Sequence, residues 1–277
     1  FDLISHDITK QLPKKINSFN YIIHAASIAS PMYYRKFPIE TMDANTIGLR
    51  HLLDYSHDNK NNIEGFLYFS TSEIYGDPDI KNIPTTEEYR GNVSCTGPRA
   101  CYDESKRYGE TLCVNFSKQY DIPIGIARPF NNYGPGLKIN DGRVISDFAK
   151  CVINNNDITL FSDGTPTRTF CYIADAIIGY FKILILSKPG EIFNIGIEKP
   201  EISINELADL IVNKSKKLFN YNGKLVNKSS LDIDYLTDNP NRRCPSIKKA
   251  KEEIGFNPRI DIEEGIERSL IWYKYNS

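Results

Sequence analysis

The chain of 277 residues predicts an α/β protein, a doubly wound, mostly parallel sheet with a smaller, mostly helical lobe. Two observations predict it. Up to Pro135, short apolar runs alternate with longer amphipathic ones in the order strand, helix, strand, helix, strand. Beyond Pro135 the pattern turns to helices joined by short strands. A hydrophobic content of 40% and a charged content of 25% fit a globular chain with ample core.

Tyr21-Ile22-Ile23-His24-Ala25-Ala26-Ser27 is a short apolar run ending in small residues, which predicts a buried parallel strand. Pro38 opens a helix to about Ser56, with Ile39, Met42, Ile47, Leu49, Leu52 and Leu53 as its apolar positions. Gly65 to Phe69 is the next strand, residues 77–100 are a loop, and a helix follows from Cys101 to Tyr120. Pro123 to Arg128 closes the pattern as another buried strand. Further helices are predicted at 144–154, 173–186, 204–218, 247–254 and 262–275, with strands at 158–161 and 192–195. The first lobe is assigned to residues 1–134 and the second to 135–277. Some elements of the second are expected to pack back on the first.

The formal net charge is −1, which gives no basis for a nucleic acid or an anionic membrane as partner. Six cysteines show no paired or finger spacing and read as reduced thiols of a cytoplasmic protein. The four histidines form no ligand cluster, so no metal is expected. The apolar stretch around Ile183 to Leu186 is interrupted by Lys182 and too short to span a bilayer.

The most informative pair is Tyr102 and Lys106. Residues four apart share a helix face. A phenol titrates near about pH 10 and is a poor base at neutrality. An ammonium beside it favours the phenolate and is expected to lower that pKa. Alone the spacing is weak, because a chain with 17 Tyr makes about one such match by chance. Its setting makes it specific. Upstream lies Phe69-Ser70-Thr71-Ser72-Glu73-Ile74-Tyr75-Gly76, and downstream Ala127-Arg128-Pro129-Phe130-Asn131-Asn132-Tyr133-Gly134-Pro135. In a doubly wound sheet, ligands sit beyond the carboxyl ends of the strands, where Thr71, Ser72, Glu73 and Asn131 fall.

These three blocks, in this order, resemble the extended short-chain dehydrogenase/reductase family, NAD-dependent enzymes that epimerise, dehydrate or decarboxylate nucleotide sugars. The resemblance implies a Rossmann-like first lobe that binds NAD and a second lobe that binds the nucleotide sugar. Within the family, Thr71-Ser72-Glu73 resembles the UDP-glucuronic acid decarboxylases or the GDP-mannose dehydratases, while Gly97-Pro98-Arg99-Ala100-Cys101-Tyr102-Asp103-Glu104, Asn140 to Phe148, and Ser27 to Pro31 with Tyr34 resemble the decarboxylases. Departures are Gly136 where those have Arg, Asn131-Asn132 where Asn-Thr is common, and Asn239-Pro240 for Asp-Pro. The alternatives are a hexose 4,6-dehydratase or 4-epimerase, and, of another class, an inactive binding or regulatory subunit. The family's opening strand and glycine-rich turn, which holds the NAD pyrophosphate, have no counterpart here, so the chain is expected to be part of a longer one.

Residue by residue, the resemblance implies that Tyr102 takes the sugar O4′ proton, helped by Thr71 or Ser72, with Lys106 beside it. Glu73 has three readings: a protonated acid beside the substrate carboxylate, a C5′ base, or a hydrogen-bonded carboxylate at a strand end. Arg168 is expected on the uronate carboxylate, on the diphosphate, or as a relay of the C5′ proton. Arg143 and Arg243 are expected on the diphosphate or nucleotide, with Tyr34 and Asn131 as further substrate contacts. For the cofactor the resemblance implies Asp7, Ala25 and Ala26, together with Tyr102 and Lys106. Arg99 and Asn45 are expected to be structural, and His24 a packed strand histidine. A homodimer through a four-helix bundle of 38–56 and 101–120 is implied, and Tyr108, Leu112 and Phe116 are its candidate outward face.

Overall fold

The computed structural model describes residues 2–14, 16, 18–228 and 240–277. Phe1 and Asn239 lie outside them. β1 (Tyr21–His24) leads into α1 (Pro31–Lys36), α2 (Pro38–Asp43), a π-helical turn (Ala44–Gly48) and α3 (Leu49–Asp58). β2 (Gly65–Phe69) runs into a 3-10 turn at Ser72–Tyr75, and α4 (Ala100–Tyr120) and β3 (Ile124–Pro129) follow. Next come β4 (Asn132–Tyr133), α5 (Val144–Ile153), β5 (Ile158–Leu160), β6 (Thr167–Arg168), β7 (Cys171–Tyr172), α6 (Ile173–Leu186) and β8 (Ile192–Ile195). The chain closes with β9 (Ile202–Ser203), α7 (Ile204–Phe219), β10 (Leu225–Asn227), β11 (Arg242–Arg243), α8 (Lys248–Ile254) and α9 (Ile262–Asn276).

The main sheet has the order β1-β2-β3-β8, with every pairing parallel. Leu49, Leu53, Cys113 and Phe116 cover one face, against Phe66, Tyr68, Ile124 and Ile126. Ala176, Tyr180 and Ile183 of α6, with Ala250 and Ile254 of α8, cover the other, against Leu67, Ala127 and Phe193. Helices on both faces explain why β2 and β3 read as unbroken apolar runs. A separate core gathers Phe148, Leu207, Ile211, Ile266 and Tyr273 from α5, α7 and α9. Ser203 and Glu206 start α7 with reciprocal bonds to each other's backbone amides. β8 and α6 come from residues beyond 135, yet β8 joins the main sheet and α6 packs on it.

Three expectations need correction. The run at 21–27 forms a strand only over Tyr21–His24, and it is not buried on both faces. Ile22 and His24 point inward, while Tyr21 and Ile23 are each 46% exposed. β1 is the edge of the sheet, and no described element covers that side of it. The helix expected at 38–56 is two α-helices, α2 and α3, joined by the π turn, and it ends at Asp58. The extra residue in that turn moves Asn45 inward, where its amide donates to the Ser105 hydroxyl at 2.9 Å. Finally, Phe116 is buried in the core on the sheet rather than outward, so Tyr108 is the exposed member of its row.

Gly109 sets the approach of α4 to the sheet. A methyl group there would overlap the Tyr68 hydroxyl and stand 2.6 Å from its ring carbon Cζ. Tyr68 has no exposed surface into which to move. Gly109→Ala therefore sets a helix-propensity gain of about 1 kcal/mol against overpacking of about 1–3 kcal/mol. The expected result is a net loss of thermal stability, with a lower melting temperature by circular dichroism. A higher one would show that α4 can move off the sheet.

Candidate active site

The site lies at the carboxyl ends of β2 and β3 and at the start of α4. β2 delivers Ser70 and Thr71, and the turn after it delivers Ser72 and Glu73. Thr71 caps this turn, its Oγ accepting from the Glu73 amide at 3.2 Å. The first turns of α4 bring Arg99, Tyr102, Asp103 and Lys106 to the same place. Of the two hydroxyls, it is that of Thr71 that acts on the Tyr102 phenol, favouring its ionised form. Lys106 donates to the Phe69 carbonyl at 2.7 Å and stands 5.8 Å from the centre of the Tyr102 ring. The Tyr34 ring stacks on that of Tyr102 at 5.0 Å and 9°. Tyr34 is therefore packed under the candidate base, with 1% exposure.

The expected lowering of the Tyr102 pKa by Lys106 is not found. Both groups are buried, at 6% and 3% exposure, and burial favours the neutral form of each. It pushes the Tyr102 phenol up to about 12, against the Thr71 hydrogen bond. It pulls the Lys106 ammonium down to about 7. The resting pair is thus a phenol beside a lysine poised to lose its charge.

Behind them, the Glu110 carboxylate accepts from the Ser70 hydroxyl and from Arg128 Nε at 2.8 Å and Nη2 at 2.6 Å. Arg128 also donates to the Tyr75 hydroxyl at 2.6 Å, which donates on to Asn194 at 2.8 Å. Glu110 therefore ties α4 to the ends of β2 and β3.

Arginines gather on the other side. β6 and β11 pair in parallel with Arg168 opposite Arg243. Glu73 is held by a fork from Arg243, whose Nη2 lies at 2.6 Å and whose Nη1 takes the other oxygen, and by Arg99 Nη2. Burial pushes the Glu73 carboxyl up, but Arg243 and Arg99 outweigh it and hold it at about 2. The protonated reading of Glu73 is therefore wrong for this structure. Arg168 donates to the carbonyls of Thr167 at 2.8 Å and Pro240 at 2.6 Å. Burial and the neighbouring Arg243 and Arg99 pull its pKa down.

Other predicted residues are placed as follows. Arg143 reaches the Ala29 carbonyl at 3.4 Å and Asp141 at 2.9 Å, so it joins the loop after β1 to the start of α5. Asn131 has a left-handed backbone, φ +42°, and donates to the Thr169 carbonyl at 3.0 Å, steadying the strand that carries Arg168. The second departure, Asn132, donates to the Tyr180 hydroxyl. Gly136 has φ +93°, a conformation that suits glycine and strains arginine. Ala25 and Ala26 lie exposed at the end of β1. Asp7 closes an exposed turn on Thr9 at 2.8 Å, and no described contact joins it to the Tyr102 cluster. His24 is buried with both ring nitrogens unpartnered, and burial pulls its pKa down to about 3, so it stays neutral. Arg99, expected to be structural, is brought to the Glu73 carboxylate beside Tyr102. The signal was its helical spacing of three from Tyr102.

The chain belongs to the NAD dependent epimerase/dehydratase family, whose model matches residues 1–196. It is 38% identical over 269 residues to UDP-glucuronic acid decarboxylase 6 of Arabidopsis thaliana, covering 96% of this chain and 72% of that protein. It is 37% identical over 274 residues to UDP-glucuronic acid decarboxylase 1 of Xenopus tropicalis, covering 99% and 61%. Among solved structures, it resembles RMD of Pseudomonas aeruginosa complexed with NADPH, with a TM-score of 0.82, 22% identity and coverage of 99% and 88%. These likenesses confirm the Rossmann-like fold. Exposed Ala25 and Ala26 at the end of β1 and the buried Ser27 hydroxyl without a partner leave space and a free polar atom that fit a dinucleotide.

The burial of Lys106 makes a stability prediction. In the unfolded chain this lysine titrates near 10.5 and in the folded chain near 7. Between those values the unfolded state binds more protons, so stability rises with pH. Lys106→Met is expected to stabilise the fold by on the order of 2–4 kcal/mol below about pH 7. The gain should fade toward pH 10. Urea melts across that range measure it, and a flat difference would mean that Lys106 is not charged at a cost.

Proposed function

We propose that this chain decarboxylates UDP-glucuronic acid through a 4-keto sugar, giving UDP-xylose. The observation that carries the proposal is the meeting of Thr71, Tyr102 and Lys106 with three arginines around one site. The kinship with the decarboxylases supports it. The site joins a proton acceptor for a sugar hydroxyl to cations suited to an anionic sugar nucleotide.

NAD, held by Ala25, Ala26, Tyr102 and Lys106 on this chain, is the cofactor proposed in preference to NADP, and it supplies the hydride acceptor and donor for C4′. Tyr102 removes the O4′ proton while Thr71 holds the same oxygen. Formation of the phenolate needs a positive neighbour, which protonated Lys106 provides. The oxidised sugar is a β-keto acid, and its carboxylate leaves as CO2 because the ketone accepts the electron pair. Arg168 binds the carboxylate, and after CO2 has left it relays a proton from water to C5′, so that the enolate returns to the ketone. Tyr102 gives its proton back to O4′ as the ketone is reduced. Arg143, Arg243, Asn131 and Tyr34 hold and frame the nucleotide sugar.

We also propose a homodimer through α2, the π turn and α4. Ile39, Met42, Ile47 and Tyr108 are 63, 40, 43 and 52% exposed there, an apolar stripe unusual for an open surface. Among the described residues, no helix is long and apolar enough to cross a membrane. The free thiols of all six cysteines suit a reducing, cytoplasmic setting.

The test is incubation of the full-length protein with UDP-glucuronic acid and either NAD or NADP, with products followed by mass spectrometry. A loss of about 44 mass units shows CO2 release. A further difference of two hydrogens separates the ketone from UDP-xylose. Tyr102→Phe is expected to reduce turnover at least about 100-fold with NAD still bound. Turnover of hexose nucleotides alone would make this a dehydratase or epimerase. No turnover with NAD bound would support a binding subunit.

A further inference from the structure

Glu73 occupies groups that the proposed ligand needs. Both of its oxygens are taken by the two terminal nitrogens of Arg243, and one is shared with Arg99. A guanidinium fork receives a phosphate or a carboxylate in this same two-point manner. The three side chains keep 18, 9 and 12% exposure for Glu73, Arg243 and Arg99, so the cluster can be reached from the site. Arg168 lies beside Arg243 in the paired strands. Asp103 stands 3.8 Å from Arg99. The Asp77 carboxylate also acts on Arg168, so three guanidiniums face three carboxylates, and an incoming anion must take a guanidinium from one of them.

An incoming anion has two options. It can sit beside Glu73, where two like charges share a poorly hydrated site at considerable cost. Or it can take the arginines and send Glu73 away. The second option needs only side-chain rotation, because Glu73 is anchored through its backbone amide on Thr71. Protonation offers no release at ordinary pH, since the arginines keep the carboxylate ionised.

We propose that Glu73 is an internal stand-in for the ligand's anionic group. It holds Arg243 and Arg99 in register until that group displaces it, and it is then freed beside Thr71 and Tyr102. The inference rests on the nucleotide-sugar reading above. It adds that Arg99 and Arg243 exchange partners on binding, and that Glu73 becomes available to the sugar only when the site is filled. The displacing oxyanion is a phosphate of the nucleotide or the carboxylate of the sugar.

The test is isothermal titration of the full-length, NAD-loaded protein with UDP, UDP-glucose and UDP-glucuronic acid. Wild type is compared with Glu73→Gln, Glu73→Ala, Arg243→Met and the Glu73→Ala/Arg243→Met pair. Removing the internal anion is expected to tighten binding about ten-fold, and the gain should vanish in the Arg243→Met background. A gain already seen with UDP assigns the phosphate. A gain confined to UDP-glucuronic acid assigns the carboxylate. Circular dichroism and NAD content check folding, and the near-isosteric Glu73→Gln carries the test if the alanine variant does not fold. Unchanged, weaker or absent binding of all three ligands in a folded Glu73 variant overturns the proposal. If turnover shows a neutral hexose to be the substrate, the decarboxylase reading fails while a gain with UDP still stands, so the two failures are distinct.

Discussion

The buried pair of Glu110 and Arg128 is the interaction on which the site depends. Its side chains are 9 and 7% exposed, and it joins the middle of α4 to the end of β3, with the Ser70 hydroxyl added from β2. Losing either partner of such a pair leaves a buried charge and costs about 3–5 kcal/mol. The pair does more than hold the fold together. Lys106 lies one helical turn before Glu110, and Thr71 lies one residue after Ser70. A carboxylate that fixes Glu110 against Ser70 therefore fixes Tyr102 and Lys106 against Thr71. The alignment of proton acceptor and helper hydroxyl is set by a contact that need not touch the substrate.

A second constraint comes from burial itself. A wet site would let Lys106 keep its charge and help Tyr102 ionise. The structure has a dry one, in which both groups relax toward neutrality. The arginine cluster resists the same pressure because a guanidinium stays charged over the working range and is weakly hydrated. Glu73 stays ionised because two of those arginines surround it. One side of the site is thus close to neutral and the other strongly ionic, and a nucleotide sugar has the same polarity, with a hydroxyl-bearing ring at one end and a diphosphate at the other.

Much of this was legible in the sequence. The alternation of runs gave the doubly wound sheet, since β2 and β3 are apolar on both faces. Helical spacing placed Tyr102 on the same face as Lys106. The π turn was not legible, because nothing in 44–48 breaks the helical pattern, and the edge position of β1 depends on which elements cover it. Residues 73, 99, 168 and 243 come from four separate segments, so no local spacing could reveal their meeting. Glu73, Arg168 and Arg243 were reached through the resemblance, while the helical position of Arg99 was compatible with a structural role. The charge of Glu73 was left open among three readings for the same reason, since its state is set by partners 26 and 170 residues away.

The pairing of β11 with β6 has one more consequence. Successive residues of a strand point to opposite faces. Arg243 turns into the site, and Arg242 turns out to Glu201, with its Nη2 at 2.6 Å. A slip of one residue along this short ladder exchanges the two faces. In most strands that exchange would replace an inward side chain by one of another kind. Here it replaces arginine by arginine. A gain of one residue in the preceding segment would still bring a guanidinium, that of Arg242, to the place of Arg243, whereas a loss would bring Cys244, so the doubled arginine insulates this corner from lengthening of the chain but not from shortening.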